Sequence, residues 1–211
     1  MHYTPPDNDG IQLIYSDESL LVVNKPAGLL SVPGRGADKQ DCLSARVQKN
    51  FPDALTVHRL DMATSGLLVF ARSVKIQRRL SEMFRERLVA KRYVATVSGK
   101  MASEYGEINL PIIADWPNRP LRKIDTELGK PSLTRYRLLV QNADTTRVEL
   151  EPVTGRTHQL RVHLLAIGHP IVGDTLYGGY PAERLMLHAH MLDFVHPDRN
   201  SQMRLVYESP F

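Results

Sequence analysis

Apolar residues fall in short runs separated by turn residues, a pattern that predicts more strand than helix. Ile11-Gln12-Leu13-Ile14-Tyr15, a polar Ser16-Asp17-Glu18 turn and Leu20-Leu21-Val22-Val23 predict two strands joined by a short connection. Asn24-Lys25-Pro26-Ala27-Gly28 ends the second strand, because proline and glycine interrupt pairing. A helix is predicted from Asp41 to about Asn50, with Leu43 and Val47 facing inward. The Thr64-Ser65-Gly66 turn feeds an apolar run, Leu67 to Ala71, that reads as a buried strand. Ile76, Leu80, Phe84 and Leu88 then recur at helical spacing, and a strand follows over Tyr93–Val97. Leu133–Val140 and Thr146–Pro152 flank Asn142-Ala143-Asp144-Thr145 as a hairpin. After Thr154-Gly155-Arg156-Thr157 a short helix is predicted, with Leu160, Leu164 and Ile167 on one face and its end near Gly168. Leu185–Val195 and Met203–Tyr207 read as strand-rich. Between Gly106 and Gly129 the signals weaken; Asp115–Pro120 is irregular and, with Arg119, Arg122 and Lys123, basic. It reads either as a loop that touches RNA through the only tryptophan and its cations or, the preferred reading for the ring itself, as a surface insertion pinned by Trp116 in the core. No repeat or linker divides the chain. The expectation is one α+β domain spanning 1–211, with Pro26–Gly36 and Pro111–Pro131 as its looser segments.

Composition narrows the class. With 42% hydrophobic and 24% charged residues over 211 positions, the chain has an ordinary globular balance and ample material for a core. Its longest apolar runs are far too short to cross a bilayer, and Met1–Gly10 has no apolar core of the kind a leader needs. One cysteine, Cys42, excludes an internal disulfide. Cytoplasmic residence is the resulting expectation. The net charge of +4 is concentrated: between Arg72 and Arg92 eight basic residues face only Glu82 and Glu86, which suits contact with phosphates. His158 and His163, five apart, do not share a helical face, and no carboxylate stands usefully near His188 and His190, so no metal site is expected.

The most chemically suggestive segment is Val57-His58-Arg59-Leu60-Asp61-Met62-Ala63-Thr64-Ser65-Gly66-Leu67-Leu68-Val69-Phe70. A loop anchored by a buried strand can hold one side chain rigidly, as a reacting carboxylate requires. Taken alone, Asp61 reads as a turn cap or a partner for Arg59, the commoner roles of an aspartate in a loop. The whole string, however, closely resembles the catalytic motif of the RluA-type pseudouridine synthases. Gly155-Arg156-Thr157-His158-Gln159-Leu160-Arg161-Val162-His163 resembles that family's second signature, Lys91-Arg92-Tyr93-Val94-Ala95 its Lys-x-Tyr segment, and Asn24–Leu30 an upstream motif. The likeness extends from Ile11 to about Tyr207.

Isomerising uridine to pseudouridine breaks the N1–C1′ bond, turns the uracil and rejoins it through C5. Nothing is oxidised and no group leaves, so no cofactor is expected. The resemblance implies that Asp61 is the catalytic carboxylate and that Arg161 pairs with it; a guanidinium opposes the proton uptake that desolvation favours. It implies that Tyr93 supplies a flat surface for the flipped uracil, that Arg59 contacts RNA, and that His58 joins substrate binding or orders the loop. Lys25 is expected to be structural. The implied fold is the α+β pseudouridine synthase fold, a long mixed, mostly antiparallel sheet flanked by helices and loops with the active cleft across its middle, and no N-terminal S4 domain. The implied partners are a tRNA anticodon stem-loop and a 23S rRNA hairpin, with the chain a monomer needing no protein partner. A non-catalytic RNA-binding module would explain the basic helix but not Asp61. A glycoside hydrolase would need a second acid, which the chain does not offer.

Overall fold

A computed structural model describes residues 3–211, so the first two residues of the segment read as lacking a leader lie outside the described residues. The chain divides into two compact units: the described residues up to Lys91 with Ala189–Pro210, and Arg92–His188 with Phe211.

The first unit opens with β1 (Gln12–Ser16), β2 (Leu20–Lys25), α1 (Leu43–Asn50), β3 (Leu55–Thr56), β4 (Ser65–Ala71) and α2 (Val74–Arg85). The second carries β5 (Ala90–Ser98) from Arg92 onward, β6 (Tyr105–Asn109), β7 (Ile112–Ala114), β8 (Arg122–Ile124), β9 (Leu133–Gln141), β10 (Thr145–Pro152) and α3 (Gln159–Ala166). The strand β11 (Leu187–Val195) begins there and runs into the first unit, which ends with β12 (Gln202–Val206). In the first unit the strand order is β1–β2–β4–β11, with β3 beside β4 and β12 beside β11. In the second it is β5–β10–β9–β6, with β7 and β8 as a separate pair.

The buried strands are the apolar runs. Every residue of β4 is buried, and β4 pairs antiparallel with β2 from Leu20–Ala71 to Lys25–Gly66. Their apolar side chains pack with Ile76, Leu80 and Met83 of α2 and Leu192 and Phe194 of β11. Along β10 buried and half-buried residues alternate strictly, the period-two signature of a sheet with one inward face. β9 and β10 form the expected hairpin, with a register irregularity at Arg147/Val148.

Three expectations change. Ser65 and Gly66 are strand, not turn. Gly66 has φ 116°, and a Cβ there would stand 2.4 Å from the Ala189 carbonyl oxygen of β11, so close backbone approach demands glycine. The basic helix ends at Arg85; Arg87 has φ 62°, and Leu88 lies beyond the helix, 63% exposed, rather than on its apolar face. Trp116 is 65% exposed and not a core anchor, because the loop that carries it closes on its own hydrogen bonds.

A buried polar knot fastens the β1–β2 turn to the β11–β12 turn. Asp17 Oδ1 accepts from the N–H groups of Ser19 and Leu20, while Oδ2 accepts from the Tyr15 hydroxyl at 2.7 Å and His196 Nε2 at 2.9 Å. His196 Nδ1 in turn accepts from Asp198 and Arg199 N–H, so the imidazole is fixed as the Nε2–H tautomer. Burial pushes the Asp17 carboxyl up, but the donors from Leu20, Tyr15, Ser19 and His196 outweigh it and hold it at about 2, against an ordinary 3.8. A depressed folded-state value stabilises the fold above the unfolded value and loses that contribution as pH falls from 3.8 towards 2. The contribution is about 2 kcal/mol for a shift of this size. Urea unfolding of the native chain and Asp17→Asn should therefore differ by that amount near neutrality and converge near pH 2. An unchanged gap at both pH values would remove the carboxylate as its cause.

Candidate active site

The Asp61 loop is tied down one residue at a time. Ser31 Oγ donates to the Leu60 carbonyl at 2.7 Å and accepts the Leu60 N–H at 3.1 Å, holding that peptide on both sides. The Asp61 carbonyl accepts from Thr64 N–H, closing the turn that leads into β4. The Met62 carbonyl accepts from Gly28 N–H and from the ammonium of Lys25, both at 2.9 Å. Lys25 is fully buried at the end of β2, and its Nζ also donates to the carbonyls of Pro26 and Leu29 at 2.8 and 2.7 Å. Three carbonyls meet its three protons, so a charge that would be costly to bury alone becomes a fastener. Asp61 itself is half-buried and the Arg59 side chain is exposed.

His58 faces inward from the same loop. Its Nε2 accepts the N–H of Val69 in β4 at 3.0 Å, and its ring stacks on Phe84 of α2 at 4.3 Å. Burial, reinforced by the Lys91 charge, pushes its pKa down to about 3. The imidazole is thus neutral near pH 7, with the proton on Nδ1, and serves as a hydrogen-bond acceptor that orders the loop. Burial together with the Arg87 charge lowers the pKa of Lys91 as well.

Tyr93 and Arg161 belong to the second unit. Tyr93 is half-buried on β5, opposite Leu150 of β10. Arg161 sits on α3, only 4% exposed. The helix start is set by Gln159: its Oε1 accepts from the Thr154 hydroxyl and Arg156 N–H, and its Nε2 donates to the Leu133 carbonyl and Thr134 Oγ1. All four hydrogen-bonding positions of that amide are used, which fixes the turn carrying Arg161 against β9. His163, one turn further, bridges Thr134 Oγ1 and the Leu110 carbonyl, and burial lowers its pKa.

Arg161 lies in a cage that its sequence does not announce. Nε and Nη2 donate to Oδ2 and Oδ1 of Asp174, each at 2.7 Å, in a bidentate pair in which the Asp174 side chain is fully buried. Asp174 Oδ1 also accepts from the N–H groups of Leu176 and Tyr177. The guanidinium carbon lies 5.0 Å from the centre of the Tyr177 ring, and the Tyr177 hydroxyl accepts from Arg122 N–H and meets His158 Nδ1 at 2.8 Å. Gly173, before Asp174, has φ 77°, and a Cβ there would meet the Arg184 carbonyl oxygen at 1.9 Å, so the loop presenting Asp174 depends on glycine. The structure therefore brings His58, Arg59 and Asp61 together on one loop and holds Tyr93 and Arg161 on the sheet and helix of the other unit. Sequence reasoning missed Asp174 and Tyr177; their one signal was an acid in a Pro/Gly-rich loop, Pro170 to Gly179, after the helix. Among the described residues no group of three His, Cys, Asp or Glu side chains is arranged to hold a metal, and no helix is long and apolar enough to cross a membrane.

Comparison with known proteins bears on this arrangement. The RNA pseudouridylate synthase family profile matches residues 19–166, a span that includes Lys25, Asp61, Tyr93 and Arg161. The dual-specificity RNA pseudouridine synthase RluA of Escherichia coli strain K12 is 48% identical over 207 residues, 96% of this chain and 94% of that one. Its namesake from Yersinia pestis is 49% identical over 205 residues, 94% of this chain and 99% of the other. Among solved structures, human RNA pseudouridylate synthase domain containing 1 superposes with a TM-score of 0.82 at 31% identity, covering 99% of this chain and 87% of that one. A match over most of the chain, near half identity and a shared fold agree, and the chain belongs to the RNA pseudouridylate synthase family, a family of RNA-modifying isomerases.

Proposed function

We propose that this enzyme isomerises a uridine in a tRNA anticodon stem-loop and a uridine in a 23S rRNA hairpin, with Asp61 as the reacting carboxylate. The observation that carries the reading is the loop itself: Leu60, Asp61 and Met62 each have their backbone fastened, which holds one carboxylate in place without a mobile segment. Arg161 is its charge partner in this scheme, as the matching arginine is in the family. A guanidinium already oriented by Asp174 is pre-organised for a second anion. Tyr93 offers the ring on which the flipped uracil rests, and the exposed Arg59 meets RNA beside the vacated position. His58, neutral and engaged with Val69, orders the loop instead of moving a proton.

The cationic residues around α2 support phosphate contact: Lys75, Arg78, Arg79 and Arg87 are all exposed. The whole chain acts as one catalytic domain, a monomer in the cytoplasm, in keeping with a reaction that calls for no second protein; sedimentation at working concentration tests this, and a dimer would contradict it.

The deciding experiment uses an anticodon stem-loop and a 23S rRNA hairpin tritiated at uridine C5. Pseudouridine formation must release the label to water, because C5 becomes the glycosidic carbon. Release from both, with affinity falling steeply as salt rises, is expected. Release from one alone would reduce the substrate range, and binding without release from either would leave an RNA-binding protein.

A further inference from the structure

The β7–β8 connection holds a large aromatic side chain out into solvent and keeps it there. Asp115 N–H donates to the Leu121 carbonyl at 3.0 Å, Asn118 N–H to the Asp115 carbonyl at 3.1 Å, and Leu121 N–H to the Asn118 carbonyl at 3.0 Å. The Asn118 side chain donates to Asp115 Oδ2 at 2.9 Å, and Pro117 and Pro120 restrict the backbone further. A loop so closed costs little entropy to present to a ligand. On its tip Trp116 is 65% exposed, and the Arg119 guanidinium lies 4.7 Å from the centre of the indole ring. An exposed tryptophan forfeits a large burial gain, so a rigid loop that displays one points to an outside partner.

The charge around the ring says what that partner is. Between Asp115 and Ile124 three cations, Arg119, Arg122 and Lys123, face one acid, Asp115, whose Oδ2 is taken by Asn118. Lys123 is exposed, whereas Arg122 is half-buried and its Nε is shielded from solvent. The neighbouring Asp125 carboxylate accepts from the N–H groups of Glu127 and Leu128 and serves its own turn. A flat apolar face with a guanidinium stacked against it, on a loop of net positive charge, matches an unpaired nucleobase with its flanking phosphate. A membrane surface would want several apolar residues together, and a protein hot spot would want an apolar pocket beside the ring.

The geometry points to Trp116 and Arg119 as a stacking platform for an unpaired base of the substrate RNA, outside the reacting uridine. The guanidinium lies over the indole and the base stacks on the ring surface left exposed, while Arg119 and the exposed Lys123 receive phosphate. This positioning role rests on the RNA pseudouridine synthase reading and adds a determinant of which loop the enzyme accepts: a hairpin with a splayed base gains the contact, and a fully paired duplex does not.

Trp116 is the only tryptophan in the chain, so its emission reports this one position. Asp61→Asn protein, expected to retain substrate without turning it over, is titrated with a tRNA anticodon stem-loop and with a fully paired RNA duplex of equal length, binding being followed separately by the anisotropy of labelled RNA. A saturable loss of tryptophan emission that tracks stem-loop binding and is absent with the duplex is expected. Trp116→Ala in the otherwise native enzyme should raise KM for the stem-loop about tenfold with kcat within about twofold, and Trp116→Phe should recover most of the loss. Stem-loop binding that runs to completion with unchanged emission, or an unchanged KM in Trp116→Ala, overturns the platform and leaves the synthase reading standing. Failure of the native enzyme to bind or turn over any RNA overturns both.

Discussion

Asp61→Asn should release no tritium from C5-labelled stem-loop and should still bind that RNA with close to native affinity. The amide keeps the shape of the carboxylate but can neither attack carbon nor take a proton, so the chemical step loses its agent while the surface that meets RNA stays intact. The expected fall in turnover is roughly four orders of magnitude or more, as for other sites whose reacting group is removed. The loop should survive the change, because its backbone is fastened at Leu60, Asp61 and Met62: Ser31 holds Leu60, Thr64 holds Asp61, and Lys25 with Gly28 holds Met62. Single-turnover tritium release with saturating enzyme, alongside a binding isotherm, separates the two effects. Substantial release by Asp61→Asn would move the chemistry to another residue.

The second large effect should come from a residue that the sequence motifs pass over. Asp174→Ala removes the carboxylate that receives both Nε and Nη2 of Arg161 and two backbone N–H groups, in a pair whose side chains are 5% and 0% exposed. Removing one member of a buried pair costs about 3–5 kcal/mol. Chemical denaturation should show that loss. Asp174→Asn, which keeps an oxygen for the Leu176 and Tyr177 N–H groups, should lose less than Asp174→Ala. If the two variants lose equally, those backbone hydrogen bonds do not share in the cost.

Much of this architecture was legible because burial leaves a period. The apolar runs Leu20–Val23 and Leu67–Ala71 form most of β2 and β4, which are buried along almost their whole length; β10 alternates and has one buried face. The β3, β7 and β8 strands escaped because two, three and three residues are too few to display a period, and β6 escaped because Ile108 is its single buried residue. Of the two readings open for Trp116, the preferred one, a core anchor, failed for a sound physical reason: large aromatics are usually buried, and only the loop's own hydrogen bonds reveal that this one is held outside. Leu88 kept helical spacing with Phe84, yet the left-handed Arg87 had already ended the helix, and spacing alone carries no stop signal. At the site, Asp61, Arg59, His58, Tyr93 and Arg161 were picked out through motif resemblance. The chemistry that holds them was not visible. Asp174 is thirteen residues from Arg161 and shares no helix or strand with it, and the acceptors of Lys25 are carbonyls, which every residue possesses and no composition betrays.

The fastening around Asp61 also decides which partner has to move. The Asp61 loop, held through Lys25, Gly28, Ser31 and Thr64, cannot swing as a lid without tearing contacts from the end of β2, so it behaves as an anvil. If Asp61 is the reacting carboxylate proposed above, rearrangement falls to the nucleic acid, which must unstack and turn out its own uridine to meet it. An RNA that is easy to deform is, for such an enzyme, a better substrate than one that merely fits.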